Sequence, residues 1–265
     1  MMSLGPVLHE ARSLAAALRD EVDRGNPGPV LVTGMLAEQL ARQLSEGASP
    51  GAVVVADASR VAGSAVVVRI VAGELSDDDD QLVHDADRQG VPVVLVQLWP
   101  QEEWTAPFVR TPFVVECQAG HGFPIPEIAA RISEAVESPI ALALRVPVLR
   151  ETVVDSVVGT AAVRAAILGS IGARSRSARP LITLEQVRML AELRGLGGAS
   201  GPAPGDQIGL APFAGVAAAV AGSGFVFREA ARLARRVLPA PVADAAVAGA
   251  ATWIVGKAVR RLEAS

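Results

Sequence analysis

Between residues 28 and 137 the chain alternates short, wholly apolar runs with amphipathic stretches, and this alternation limits the fold more than any other feature. Val30–Thr33, Ala52–Ala56, Ala65–Val71, Val91–Leu98 and Pro112–Val115 read as strands. Such Val-rich runs lack the period-two polarity of a half-solvated strand, so both of their faces are buried. Met35–Ser45, Asp77–Gln89 and Pro126–Val136 read as helices. Leu36, Leu40 and Leu44 share one face of the first, and Gly90 stops the second. Buried strands separated by helices predict an α/β fold: a small parallel sheet in a three-layer domain over 28–137.

The flanking segments read differently. In residues 1–27, Leu4, Val7, Leu8, Ala11, Leu14, Ala15, Leu18 and Val22 recur at three and four, which predicts an N-terminal amphipathic helix. Glu10, Arg12, Arg19, Asp20, Glu21 and Asp23 interrupt any signal-peptide core, and Arg24–Pro29 breaks the helix. From Ser138 the strand signal ends. Segments 150–172, 183–194, 208–237 and 242–262 favour helix, separated by Arg179-Pro180, Gly195–Gly205 and Pro239–Pro241. An all-helical domain over 138–265 is expected. With 51% hydrophobic residues, the chain can bury a sizeable core, which excludes global disorder. Cys117 is the single cysteine, so no intrachain disulfide forms, which fits a reducing compartment.

The net charge of −4 hides an asymmetry. Residues 1–150 carry 11 Arg against 20 Asp and Glu, a balance of −9; residues 151–265 carry 12 Arg and Lys257 against 8, a balance of +5. An apolar, basic second half suits contact with anionic lipid or an acidic partner, or attraction to the acidic half.

The turn at Gly34, between a strand and a helix, is where a nucleotide-binding fold carries its phosphate loop. G-x-x-x-x-G-K-[ST] needs glycines for close backbone approach, a lysine for charge and a hydroxyl for Mg²⁺. Counted from Gly34, the last three places are Gln39, Leu40 and Ala41, and this half has no lysine. After Val91–Val96, where N-K-x-D would read guanine, the chain has Gln97-Leu98-Trp99-Pro100. Nucleotide hydrolysis by such a loop is not expected, and no cofactor is.

Residues 65–100, AVVVRIVAGELSDDDDQLVHDADRQGVPVVLVQLWP, resemble the third strand, helix and fourth strand of an Era-like GTPase domain. The resemblance implies a fold only, because that family's phosphate-loop and base-recognition residues have no counterpart. Pro180–Met189 (PLITLEQVRM), Gly222-Ser223-Gly224-Phe225, Arg228–Arg236 and Ala248–Gly256 resemble the YcjF-type, GTPase-associated domain of unknown function, over roughly residues 140–262. That resemblance implies a GTPase or other protein as partner and an association with membranes; it carries no mechanism.

Ile208–Phe227 is twenty residues without charge, long enough to span a bilayer core, with Phe213, Val216, Val220 and Phe225 as candidate embedded side chains. It is rich in Ala and Gly, so its insertion energy is marginal. Val242–Gly256 is shorter and contains Asp244. A hairpin of the two would place Arg228, Arg232, Arg235 and Arg236 outside, against the positive-inside rule. These arginines, at spacings of four, three and one, share a helix face and are candidates for contact with anionic lipid headgroups. The competing reading is an exposed helix on a soluble bundle. The Gly215/Ala219 and Ala218/Gly222 pairs allow close helix packing in either setting, including between copies of the chain.

Other candidate chemistry is weaker. Asp77–Asp80 reads as a helix cap, since carboxylates at a helix start satisfy orphan N–H groups. Cys117 and His121 lack an orienting group and oxyanion donors, and one Cys with His9, His84 and His121 makes no zinc spacing. Trp99, Trp104 and Asp57 follow strand ends on the edge where open α/β sheets bind ligands. The second-half arginines have no aromatic interleaving for nucleic acid. The sequence therefore predicts a non-enzymatic adaptor with a degenerate GTPase-like domain, on the cytoplasmic face of the membrane. Its alternatives are a soluble interaction module and a small-molecule or enzymatic site at the sheet's carboxyl edge.

Overall fold

The computed structural model describes residues 27–56, 61–73, 75–100, 113–172, 178–196, 232–236 and 238–263. The helix expected over 1–27, Asp57, Trp104, Ile208–Phe227 with Phe213, Val216, Val220 and Phe225, and Arg228 lie outside the described residues.

Five parallel strands form one sheet in the order β2-β1-β3-β4-β5: β1 Val30–Gly34, β2 Val53–Val55, β3 Val66–Ala72, β4 Val93–Leu98 and β5 Val114–Cys117. Val30 lies level with Val53 on one side and Val66 on the other. Val67 is level with Val93, and Leu95 with Val114. The three central strands are buried almost throughout, as their unbroken apolar runs require.

Helix α1 (Ala37–Leu44) follows β1 and buries Leu40 and Leu44 completely. Helix α2 (Asp77–Arg88) joins β3 to β4. It packs Leu82 and Ala86 against Leu31, Val67 and Val91. Helix α3 (Ile125–Ala135) follows β5 and buries Ile128 and Ile132. Level residues of parallel neighbours share a face, so Leu31, Thr33, Val67, Arg69, Val71, Leu95, Gln97 and Glu116 all lie on the α2 face.

Val22–Val153 form one compact unit, and the described residues from Val154 onward belong to a second. Helix α4 (Pro139–Arg145) and the 3₁₀ turn Pro147–Leu149 belong with the sheet because Leu142, Val146 and Leu149 are fully buried there. Ser49 N donates to the Arg145 carbonyl at 2.8 Å, and the Arg145 guanidinium donates to the Pro27 carbonyl. The strand signal ends at Ser138 for lack of strands, while the core continues in helical form.

Beyond Val153 the described residues are helical or turn. Helices α5 (Arg150–Gly172) and α6 (Ala178–Leu196) share a core of Val158, Ala161, Met189, Leu190 and Leu193, against which α7 (Ala240–Glu263) packs Val255. Pro180 and Pro241 fall in first turns, where the missing N–H costs nothing, so both open helices rather than only separating them. α5 and α7 run antiparallel at close range: a Cβ on Gly169 would lie 2.7 Å from the Asp244 carbonyl oxygen, and one on Gly256 2.7 Å from Val158 Cγ2. Gln186 Nε2 donates to Thr252 Oγ1 at 3.2 Å inside this core.

Candidate functional site

The strand order reverses direction at β1, so the crevice between the carboxyl ends of β1 and β3 is the place where an open α/β sheet accepts ligands. The backbone there is tightly set. Gly34 has φ +99°, and a Cβ on it would lie 2.1 Å from the Ile70 carbonyl oxygen. Leu36, at the start of α1, has φ 59° and makes no side-chain cap. Met35 and Leu36 are about half exposed. A phosphate loop would place open N–H groups and a lysine here; this turn presents two apolar side chains and, in the first helical turn, Glu38.

Beside it, on the α2 face, four residues form a closed polar network. Arg69 Nε donates to Asp79 Oδ1 at 2.6 Å, and Arg69 Nη1 to Thr33 Oγ1 at 3.0 Å. Asp79 Oδ2 accepts from Ser76 N at 2.8 Å and Ser76 Oγ at 2.6 Å, while Ser76 Oγ caps Asp79 N at 3.3 Å. Burial opposes ionisation of Asp79, but the two bonds from Ser76 and the bond and charge of Arg69 outweigh it, and the carboxyl is held below its ordinary pKa. Asp77–Asp80 open α2 with a full capping box, and Asp79 in addition ties α2 to β3 and β1. Among the described residues no group of three or more His, Cys, Asp or Glu is placed to hold a metal ion.

Gln97 lies on the same face near the end of β4. It is 1% exposed, and neither Nε2 nor Oε1 has a hydrogen-bond partner. An unpaired buried polar group costs about 1–3 kcal/mol, so this amide stands out in a Val-rich strand. Two residues on, Trp99 is half exposed with φ 53°, a backbone region that costs an L-residue about 1–2 kcal/mol. Its N–H donates to the Cys117 carbonyl at 3.1 Å, which fixes the turn. Leu36 and Trp99 are the two described non-glycine residues at positive φ, and both stand at this carboxyl edge. Cys117 is buried, and desolvation, with the Glu127 charge, pushes its thiol up to about 11. It stays protonated near neutrality and is no nucleophile there. His121 is exposed, its Nδ1 3.3 Å from the Ala119 carbonyl oxygen.

The helical unit carries a different surface. Along α5, Val163, Ile167 and Ile171 recur every four residues at 54–61% exposure. Arg164, beside them, is held by Glu185 at 3.1 Å. The stretch Pro147–Ile171 has a mean hydropathy of 1.4 over its best window, only 22% of which is buried, and is the one described helix long and apolar enough to cross a membrane. Along α7, Val242, Ala246, Ala250, Trp253, Ile254 and Ala258 are exposed, and none carries charge. Lys257 Nζ lies 5.9 Å from the Trp253 ring centroid and 2.7 Å from Asp155 Oδ1.

Of the arginines singled out in the sequence, Arg232, Arg235 and Arg236 are described, and all three are exposed. Arg235 is clamped by Asp244, with Nη2 2.6 Å from Oδ2 and Nε 2.9 Å from Oδ1, so its guanidinium is committed within the chain. The sequence reading missed Arg69, Gln97 and the α5 stripe. A lone Arg in VVVRIVA and a lone Gln in VVLVQL were the available signals, since a charge or an amide in a doubly buried strand must find a partner. Compared with known protein families, curated proteins and solved structures, the chain matches none.

Proposed function

We propose that this chain is a non-enzymatic adaptor that docks on an anionic membrane surface through its second half and offers its α/β unit to a protein partner. In this reading the first half is a GTPase-like domain without nucleotide chemistry, the second an all-helical YcjF-type domain, and the setting the cytoplasmic face of the membrane. The observation that carries it is the uncharged, exposed rows on α5 and α7, in a half of the chain with a charge of +5. Apolar side chains at helical spacing on a basic body are what an in-plane membrane contact requires. Trp253 supplies the flat amphipathic ring of the headgroup zone, while Lys257 beside it is held by Asp155. Arg236 is exposed close to the start of α7, and the commitment of Arg235 to Asp244 moves the emphasis from an arginine face to this apolar one. Met35 and Leu36, exposed at the carboxyl edge, suit a protein contact better than a phosphate.

Vesicle flotation tests the reading. The full chain is expected to float with phosphatidylglycerol-containing vesicles and less with neutral ones, and high salt should weaken the contact. Ile167→Ser and Trp253→Ser, both at exposed positions, should each lower partitioning about tenfold, the equivalent of losing roughly 1.4 kcal/mol of apolar insertion. Absence of flotation with anionic vesicles overturns the membrane reading and leaves the same rows to a protein partner.

A further inference from the structure

Gln97 has a buried carboxamide with no hydrogen-bond partner among the described residues: donor and acceptor are both unpaired, so exchanging them by turning the amide over rescues neither. The register places it level with Val71 of β3 and Glu116 of β5, on one face of the sheet. Val71 is buried and Glu116 exposed, so the margin of the covered face falls between Gln97 and Glu116. The amide lies near the carboxyl ends of the strands, the edge where open α/β sheets take ligands. Just past the end of β4, Trp99 holds a half-exposed ring on a backbone turn that its bond to Cys117 fixes.

The surroundings select the chemistry. Arg69, the cation on this face, is committed to Asp79 and Thr33. Glu116 stands beside the amide, so an anion is disfavoured. A side-chain amide offers one donor next to one acceptor in a plane, and its complement is a planar edge with an acceptor next to a donor. The half-exposed aromatic ring of Trp99, two residues from the amide, favours a flat ligand. We propose that the carboxyl end of β4 is a binding site for a small, neutral, planar amide or lactam, read by the Gln97 carboxamide and covered by Trp99. This goes beyond the adaptor reading and does not depend on membrane contact.

Titration calorimetry on the full chain tests it, with uracil and nicotinamide as probes and 1,3-dimethyluracil, which has no N–H, as control. The expected result is saturable one-site binding of uracil or nicotinamide and none of the control. Gln97→Leu should weaken that binding at least tenfold, and Trp99→Ala should weaken it too. Gln97→Leu should also melt at or above the parent temperature, because an apolar side chain removes the unpaired amide. Gln97→Met, close in shape, replaces it if Leu does not fold. No saturable heat from either probe in the millimolar range overturns the proposal, as does equal binding by the Gln97 variants. A lowered melting temperature in both variants, without probe binding, assigns the amide to an internal bond and overturns it as well.

Discussion

Arg69 and Asp79 join three elements through one charged pair, with side-chain exposures of 22% and 8%. At that burial, removing one partner leaves a poorly solvated charge, so Arg69→Met and Asp79→Asn should each cost about 2–3 kcal/mol in urea unfolding. The double variant should cost clearly less than the sum, since both single changes break the same bond. The pair also sets a pH dependence. Asp79 has a folded pKa below its unfolded one, so its contribution is fully present above the ordinary carboxylate range and is lost as pH falls through the folded value. The stability gap between parent and Asp79→Asn should stay constant from pH 7 to about pH 5 and close below about pH 4, as read from denaturation midpoints. Gly34→Ala belongs to the same scale. With φ +99° and the Ile70 carbonyl oxygen 2.1 Å from the new Cβ, the substitution forces β1 and β3 apart and should cost upward of about 3 kcal/mol or prevent folding.

Among the elements, the strands and first-half helices were legible because their signals are local: a Val-rich run, the carboxylates Asp77–Asp80 at a helix start, a stopping glycine. Their bounds differ from the sequence reading by a residue or two. What pairs with what was not legible, because Thr33 and Arg69 meet across 36 positions and only the sheet register brings them together. Helix α5 shows the same limit. Its span, 150–172, was readable, but which of its faces is covered depends on α6 and α7, so the exposed Val163, Ile167 and Ile171 could not be separated from a core row. The α5–α7 packing yields a prediction of its own. Gly256 lies where a Cβ would stand 2.7 Å from Val158 Cγ2 and 3.3 Å from the Met189 sulfur. Gly256→Leu should therefore cost about 1–3 kcal/mol, read as a lowered melting temperature. Gly159→Ala, with open space around its Cβ position, should be neutral or stabilising by a few tenths through helix propensity.

For the whole molecule, the decisive question is where the α/β unit ends, because that fixes what it needs in order to fold. Leu142, Val146 and Leu149 are fully buried, although they follow the last strand by more than twenty residues. Each apolar side chain of that kind contributes about 1.5–3 kcal/mol by its removal from water, so losing three approaches the entire stability of a small domain. Ser49, on the loop after α1, also loses its bond to the Arg145 carbonyl if the chain stops early. A fragment of residues 22–153 should then unfold in one cooperative transition with dispersed amide resonances, whereas residues 22–137 should give a broad melt and collapsed spectra. Equal cooperativity of the two would mean that α4 and the 3₁₀ turn only decorate the sheet, and the unit would end at 137, where the strand signal stops. The longer fragment also isolates Gln97 and Trp99 from the rows on α5 and α7. Retention of lactam binding in 22–153, with loss of vesicle flotation, would place the two activities in separate units. The chain would then be a ligand-reading domain carried on a membrane-docking one.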